Sequence, residues 1–188
     1  MNRAKLNQIR LVDWGKTMYT YPVPYLAFLA HFHIDRDYFE CHELLEEHWK
    51  ETDGARDSVW VGLIQSAVYL YHYRRGNVNG AKRMAEKAID CFSKRQHELT
   101  RLGIDADRFT AVIQKSLNRL QNGMPFSPLP IPIIDELLTN ELDQFTQTFQ
   151  PELNEQFLSE KHKLRDRSDV IQARKLAIQL KKAGKAPL

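Results

Sequence analysis

The stretch from Val59 to Tyr73 constrains the fold most, because it has the length of a helix and no face suited to water. At about 100° per residue, Val61, Leu63, Ile64, Ala67, Val68, Leu70 and Tyr71 point around the whole circle. Such a helix needs others around it, so the sequence predicts a bundle with this segment at its centre. Gln65 and His72 interrupt the apolar surface, and polar groups in such a place demand partners.

The rest of the chain supplies the surrounding helices. Pro24 suits the first turn of a short helix ending near Phe32, and Asp35 or Asp37 caps an acidic helix running to about Glu51. The turn Arg74-Arg75-Gly76-Asn77 leads into a long amphipathic helix predicted over 81–102, and Asp105 caps another over 108–120. Three prolines spaced two apart, Pro128, Pro130 and Pro132, force extended backbone on the residues before them, so 125–132 is read as a non-helical crossover packed on the bundle. Helical pattern resumes near 134–145 and after Pro151, and Ser168 caps a final helix over 169–182. No alternating stretch of strand quality occurs. The expectation is an all-α, single-domain helical bundle with five or more helices around 59–73. Its core covers 1–124, and 125–188 forms the crossover and a C-terminal helical extension of the same domain.

At 188 residues the chain can enclose one sizeable core. No apolar run approaches the roughly 20 residues that span a bilayer, and residues 1–19 lack the continuous apolar stretch of a secretory signal. Cys41 and Cys91 have no metal-binding or redox spacing and read as reduced apolar residues. A cytosolic protein with no membrane partner is expected. The net charge of +3 is too small to announce nucleic acid. From Pro151 onward nine Lys or Arg meet five interspersed acids, a pattern of a solvated helix face that leaves the C-terminal helices open to a homo-oligomeric or protein partner.

The polar motif lies on the acidic helix, Tyr38 to Trp49. On a helical wheel Leu45, Tyr38, Trp49, His42, Glu46 and Phe39 form one arc with Glu43 at its edge, while Glu40, Glu47 and His48 turn toward water. His42 and Glu46 are neighbours at i and i+4. Gln65, Tyr69 and His72 share an arc of the central helix, and if that arc faces the acidic helix these groups converge inside an apolar wall. Three readings follow. In the leading one, His42, Glu43, Glu46, Trp49, Gln65, Tyr69 and His72 form a satisfied polar network that fixes helix register. In the second they line a small-molecule pocket. In the third, Glu46 and His42 act as base or ligand and partner in an enzyme.

Metal binding has too few ligands for a bundle carboxylate site, and His-Glu-x-x-Glu lacks the second His of a zincin, so neither metal nor cofactor is expected. His31 and His33 read as helix-terminal dipole contacts and His97 as a surface residue. Arg165 and Arg167 before Ser168 form a weaker phosphate candidate, with an Arg–Asp pair in solvent as the favoured reading. No motif for nucleophilic catalysis is present.

The run Phe39-Glu40-Cys41-His42-Glu43-Leu44-Leu45-Glu46-Glu47-His48-Trp49, with Gly62-Leu63-Ile64-Gln65, Tyr71-His72-Tyr73-Arg74-Arg75-Gly76-Asn77 and Gly80-Ala81, resembles the family catalogued as domain of unknown function 309. The likeness covers about 38–88. It implies a helical bundle with one central helix and no established activity. The part from the proline segment onward resembles an extension in Bacillus-like members. A runner-up reading is an interaction module, because the hairpin from Tyr69 to Ala88 resembles the helix pairs of tetratricopeptide-type adaptors.

Overall fold

The structure, a computed structural model, describes residues 19–52 and 54–164. The expected helix over 169–182, its Ser168 cap and the Arg165/Arg167 pair lie outside the described residues. Among the described residues every regular element is a helix, and extended backbone pairs only at a single antiparallel bridge between Ile104 and Ile133. The fold is all-α.

Helix α1, Val23–Ala30, starts with proline in its first turn and is buried over Tyr25 to Ala30. The coil does not end near Phe32, where the pattern places its stop. The chain continues as a π-helical turn, His31–Asp35, and is ended by Arg36 in the left-handed conformation, φ 59°. His31 is therefore no simple dipole contact: its Nδ1 lies 3.0 and 3.1 Å from the two carboxylate oxygens of Asp35. The Asp35 oxygens also accept the backbone amides of Asp37 at 3.0 Å and Glu152 at 3.2 Å.

Helix α2, Tyr38–Thr52, is capped by Asp37, whose Oδ1 accepts the Glu40 amide at 3.0 Å. It buries Tyr38, Cys41 and Leu45. Helix α3, Val59–Arg74, is the apolar segment of the sequence, and its N-cap Ser58 accepts the Trp60 amide. α3 packs between α2 and α4, Val78–Lys94. Its Tyr69 hydroxyl reaches Ser116, and Trp60 meets Tyr25 of α1 edge-on at 5.7 Å. One stripe of α3 stays half-buried: Val61, Gln65, Val68 and His72, at i, i+4, i+7 and i+11. The close approach of α3 and α4 depends on Gly62. A Cβ there would lie 2.5 Å from Phe92 Cε1 and 2.9 Å from Cys91 Sγ. Ala81, Ala85 and Ala88 present equally small, fully buried side chains from α4.

The single helix expected over 81–102 is two: α4 ends at Lys94, and α5, Gln96–Arg101, follows a break at Arg95 with φ −123° and ψ 27°. The Arg95 guanidinium anchors the bend by pairing with Glu98 at 2.7 Å and with Asp57 from the loop before α3. Helix α6, Ala106–Gln121, is capped by Asp105 and packs on α4.

The proline segment crosses the bundle in extended form. Phe126 meets Tyr38 and Tyr73 edge-on, Tyr73 Oη donates to the Met124 carbonyl at 2.8 Å, and Leu129 and Ile131 are buried. The segment then pairs with residues 103–105, the Ile134 amide donating to Gly103 O at 2.8 Å and the Asp105 amide to Pro132 O at 2.9 Å. Gly103 is required there, since φ is +78° and a Cβ would meet Asp135 Cβ and Leu138 Cδ2 at 2.8 Å. Helix α7, Glu136–Thr146, packs on α1 and buries Glu141, which accepts the amides of Thr20 at 2.7 Å and Tyr21 at 3.0 Å. The chain divides after Leu153 into a second unit. Its helix α8, Glu155–Leu164, has the Phe157 amide bonded to Asn154 Oδ1 and Lys161 over the Phe157 ring.

Candidate functional site

Burial of Tyr38, Cys41 and Leu45 sets the rotation of α2, and the edge beside that stripe carries Phe39, His42, Glu43 and Glu46, all half-buried. His42 engages a carboxylate with each ring nitrogen. Nδ1 is 2.9 Å from Glu43 Oε1 and Nε2 is 3.2 Å from Glu46 Oε2, while the other oxygen of Glu46 is 2.7 Å from Lys50 Nζ. The Phe39 ring lies 6.4 Å from His42 and 5.8 Å from Tyr71, which places this cluster at the seam between α2 and α3. Glu47 faces water, but His48, expected there too, meets Trp60 edge-on at 4.7 Å. The indole of Trp60 supplies an apolar surface that a wheel of α2 alone does not contain.

With side-chain exposures of 24 to 34%, the His42 cluster is held in partly screened surroundings. His42 bridges two carboxylates. One atom each from His42, Glu43 and Glu46 lies within 4.8 Å of the others, so a divalent cation could take an imidazole nitrogen and two carboxylate oxygens there, completing its shell with water. Lys50 holds one of those carboxylates already.

The other predicted residues have neighbours of their own. Trp49 Nε1 donates to Ala55 O at 2.8 Å and ties the end of α2 to the following loop. Tyr69 points into the core, its hydroxyl 2.6 Å from Ser116 Oγ, and burial pushes the phenol up to about 12. His72 Nδ1 is 3.1 Å from the amide of Asn77, the N-cap of α4. Gln65 lies at a cleft between α3 and α4.

That cleft measures ≈ 280 Å³, and its α4 wall lies outside the residues that the sequence motifs single out. Val61 and Gln65 line it from α3, and Lys87, Cys91 and Lys94 from α4, with Arg56 at one end. Gln65 Oε1 is buried and has no hydrogen-bond partner among the described residues. Cys91 donates to Ser58 O at 3.4 Å, and burial pushes its thiol up, which keeps it protonated and a poor nucleophile. The sequence holds one signal of this wall, the i, i+4, i+7 spacing of Lys87, Cys91 and Lys94.

Residues 25–84 match the family described as domain of unknown function (DUF309). Over 172 residues the chain is also 38% identical to the uncharacterized protein YpuF of Bacillus subtilis (strain 168), an alignment covering 88% of this chain and 99% of that one. The chain belongs to the DUF309 family. No solved structure matches it. The DUF309 match takes in α1, α2, α3 and the start of α4. It therefore contains the His42 cluster and Gln65, while the α4 wall of the cleft lies beyond residue 84. Among the described residues, no helix is long and apolar enough to cross a membrane.

Proposed function

We propose that this DUF309 protein binds a small polar molecule in the cleft between α3 and α4, with the Gln65 side chain as its recognition group. One observation carries the reading: the Gln65 carbonyl oxygen is buried without a partner. A buried acceptor left unsatisfied costs about 1–3 kcal/mol, a cost that is removed when the side chain turns to meet a hydrogen-bond donor in the cleft. The cleft volume of ≈ 280 Å³ falls just below the range of drug-sized ligand sites, about 300 to 1,000 Å³, which restricts the ligand to a small molecule. In this reading the His42, Glu43 and Glu46 cluster is a charge network at the α2–α3 seam.

Gln65→Leu tests the reading. The variant removes the unsatisfied carbonyl, so the free protein is expected to keep or gain stability, while the thermal shifts that small polar metabolites give the parent protein disappear. Native mass spectrometry of protein purified without chelators supplies the second measurement, a retained small mass present in the parent and absent in the variant. A stable variant that still retains the mass and shifts with the same compounds would remove Gln65 from recognition.

A further inference from the structure

We infer that the ligand of the α3–α4 cleft is a small anion, a carboxylate or phosphate that also carries a hydroxyl or amino donor. The inference rests on the cleft being the binding site and adds the class of molecule. Four cations, Arg56, Lys87, Lys94 and Arg95, line the cleft against two acids, Asp57 and Asp90. Both acids are already engaged. Lys94 Nζ is 2.7 Å from Asp90, and Arg95 binds Asp57 while also reaching Glu98.

Arg56 and Lys87 are left. Neither has an ion-pair partner among the described residues, and they approach the cleft from two different segments, the loop before α3 and the body of α4. Both side chains are exposed, so their charges add at the mouth of the cleft, where they attract an anion through water and are screened by salt. An arginine fork suits the planar oxygens of a carboxylate or phosphate, and a lysine adds a mobile point charge. Gln65 Oε1 sets the second requirement, because an acceptor must be met by a donor on the ligand. A neutral hydroxyl compound would leave both cations unmatched, and a bare anion would leave the carbonyl unmatched. A hydroxycarboxylate or a hydroxyalkyl phosphate satisfies both.

The test is a titration of the full-length ¹⁵N-labelled protein followed by amide chemical shifts, with citrate, glycerol 3-phosphate, glycerol and sodium chloride at matched ionic strength. The expected result is saturable shifts from citrate or glycerol 3-phosphate, clustered on residues 56–65 and 87–95 and including the Gln65 side-chain amide. The double variant Arg56→Glu/Lys87→Glu, two exposed positions, should weaken that binding about tenfold or more with the rest of the spectrum unchanged. Whichever of the two anions binds separates a carboxylate from a phosphate ligand. Shifts no larger than those from sodium chloride, or spread over every lysine and arginine, overturn the inference. Shifts in the cleft from glycerol alone keep the binding site and overturn its preference for anions. No cleft response to any compound overturns both.

Discussion

Asp35 holds His31 one turn back along the chain, both carboxylate oxygens lying within 3.1 Å of the ring Nδ1, and the aspartate side chain has no solvent exposure at all. The pair spans a π-helical turn, a wider coil that leaves backbone groups out of the ordinary helical ladder. Asp35 compensates by accepting the amides of Asp37 and Glu152, while the Phe149 ring closes over His31 edge-on at 4.8 Å. One carboxylate therefore joins the end of α1, the start of α2 and the segment after α7.

Replacing Asp35 with alanine removes the shared acceptor of the Asp37 and Glu152 amides. A loss of about 2 kcal/mol is expected, mainly because the amide of buried Asp37 loses its acceptor at about 1–3 kcal/mol, whereas exposed Glu152 can turn to water. The urea midpoint measures it. A change within about 0.5 kcal/mol, the range of ordinary surface substitutions, would show that Asp35 holds nothing together.

Glu141 makes the fold sensitive to acid. Burial pushes its carboxyl up, but the amides of Tyr21 and Thr20 outweigh that effect and leave it below its ordinary value of 4.5. Because the folded pKa is the lower one, the stabilisation is fully present above the unfolded value and is lost as pH falls through the folded value. Glu141→Gln should cost about 1–2 kcal/mol at neutral pH and almost nothing at strongly acidic pH. Denaturation midpoints of the two proteins should converge as pH drops below about 4.5. Curves that stay parallel from neutral pH into acid would contradict this.

Gly62→Ala pits helix propensity against space. Alanine gains about 1 kcal/mol in a helix interior, yet its methyl carbon would sit 2.5 Å from Phe92 Cε1 in a fully packed core. Overpacking costs about 1–3 kcal/mol, so net destabilisation is expected, read as a lower thermal midpoint. Stabilisation by this substitution would mean that α3 and α4 separate freely.

For the seam cluster, His42→Ala should lower stability by less than about 1 kcal/mol, since half-screened ion pairs contribute that little. A loss of several kcal/mol in chemical denaturation would instead give the cluster a register-fixing role. Titration of the parent protein with manganese, monitored by calorimetry, checks the other use of these three residues. Saturation at one ion per chain that His42→Ala abolishes would assign them to metal.

Much of the architecture is legible in the sequence because it follows from local chemistry. The apolar segment predicted over 59–73 is α3 at Val59–Arg74, and Asp37 and Asp105 cap the helices they precede. The boundaries that moved are set by distant groups. Arg95 breaks a continuous amphipathic pattern because Asp57 and Glu98 hold its guanidinium, and a π-helical turn carries the coil past Phe32 after α1 where Asp35 receives amides from two other segments. The site was legible only in part. His42, Glu43 and Glu46 meet because their spacing on one helix requires it, whereas Gln65 and Lys87 come to one cleft through a turn and the closeness that Gly62 permits.

The contact of Glu141 with Thr20 and Tyr21 spans 121 and 120 residues. During synthesis the segment leading into α1 emerges from the ribosome long before its anchor exists. The apolar residues of α1 that pack on α7 must wait for most of the chain, so a nascent polypeptide halted before residue 136 carries α1 with that flank uncovered. Among the described residues, the first turn is closed by one of the last helices.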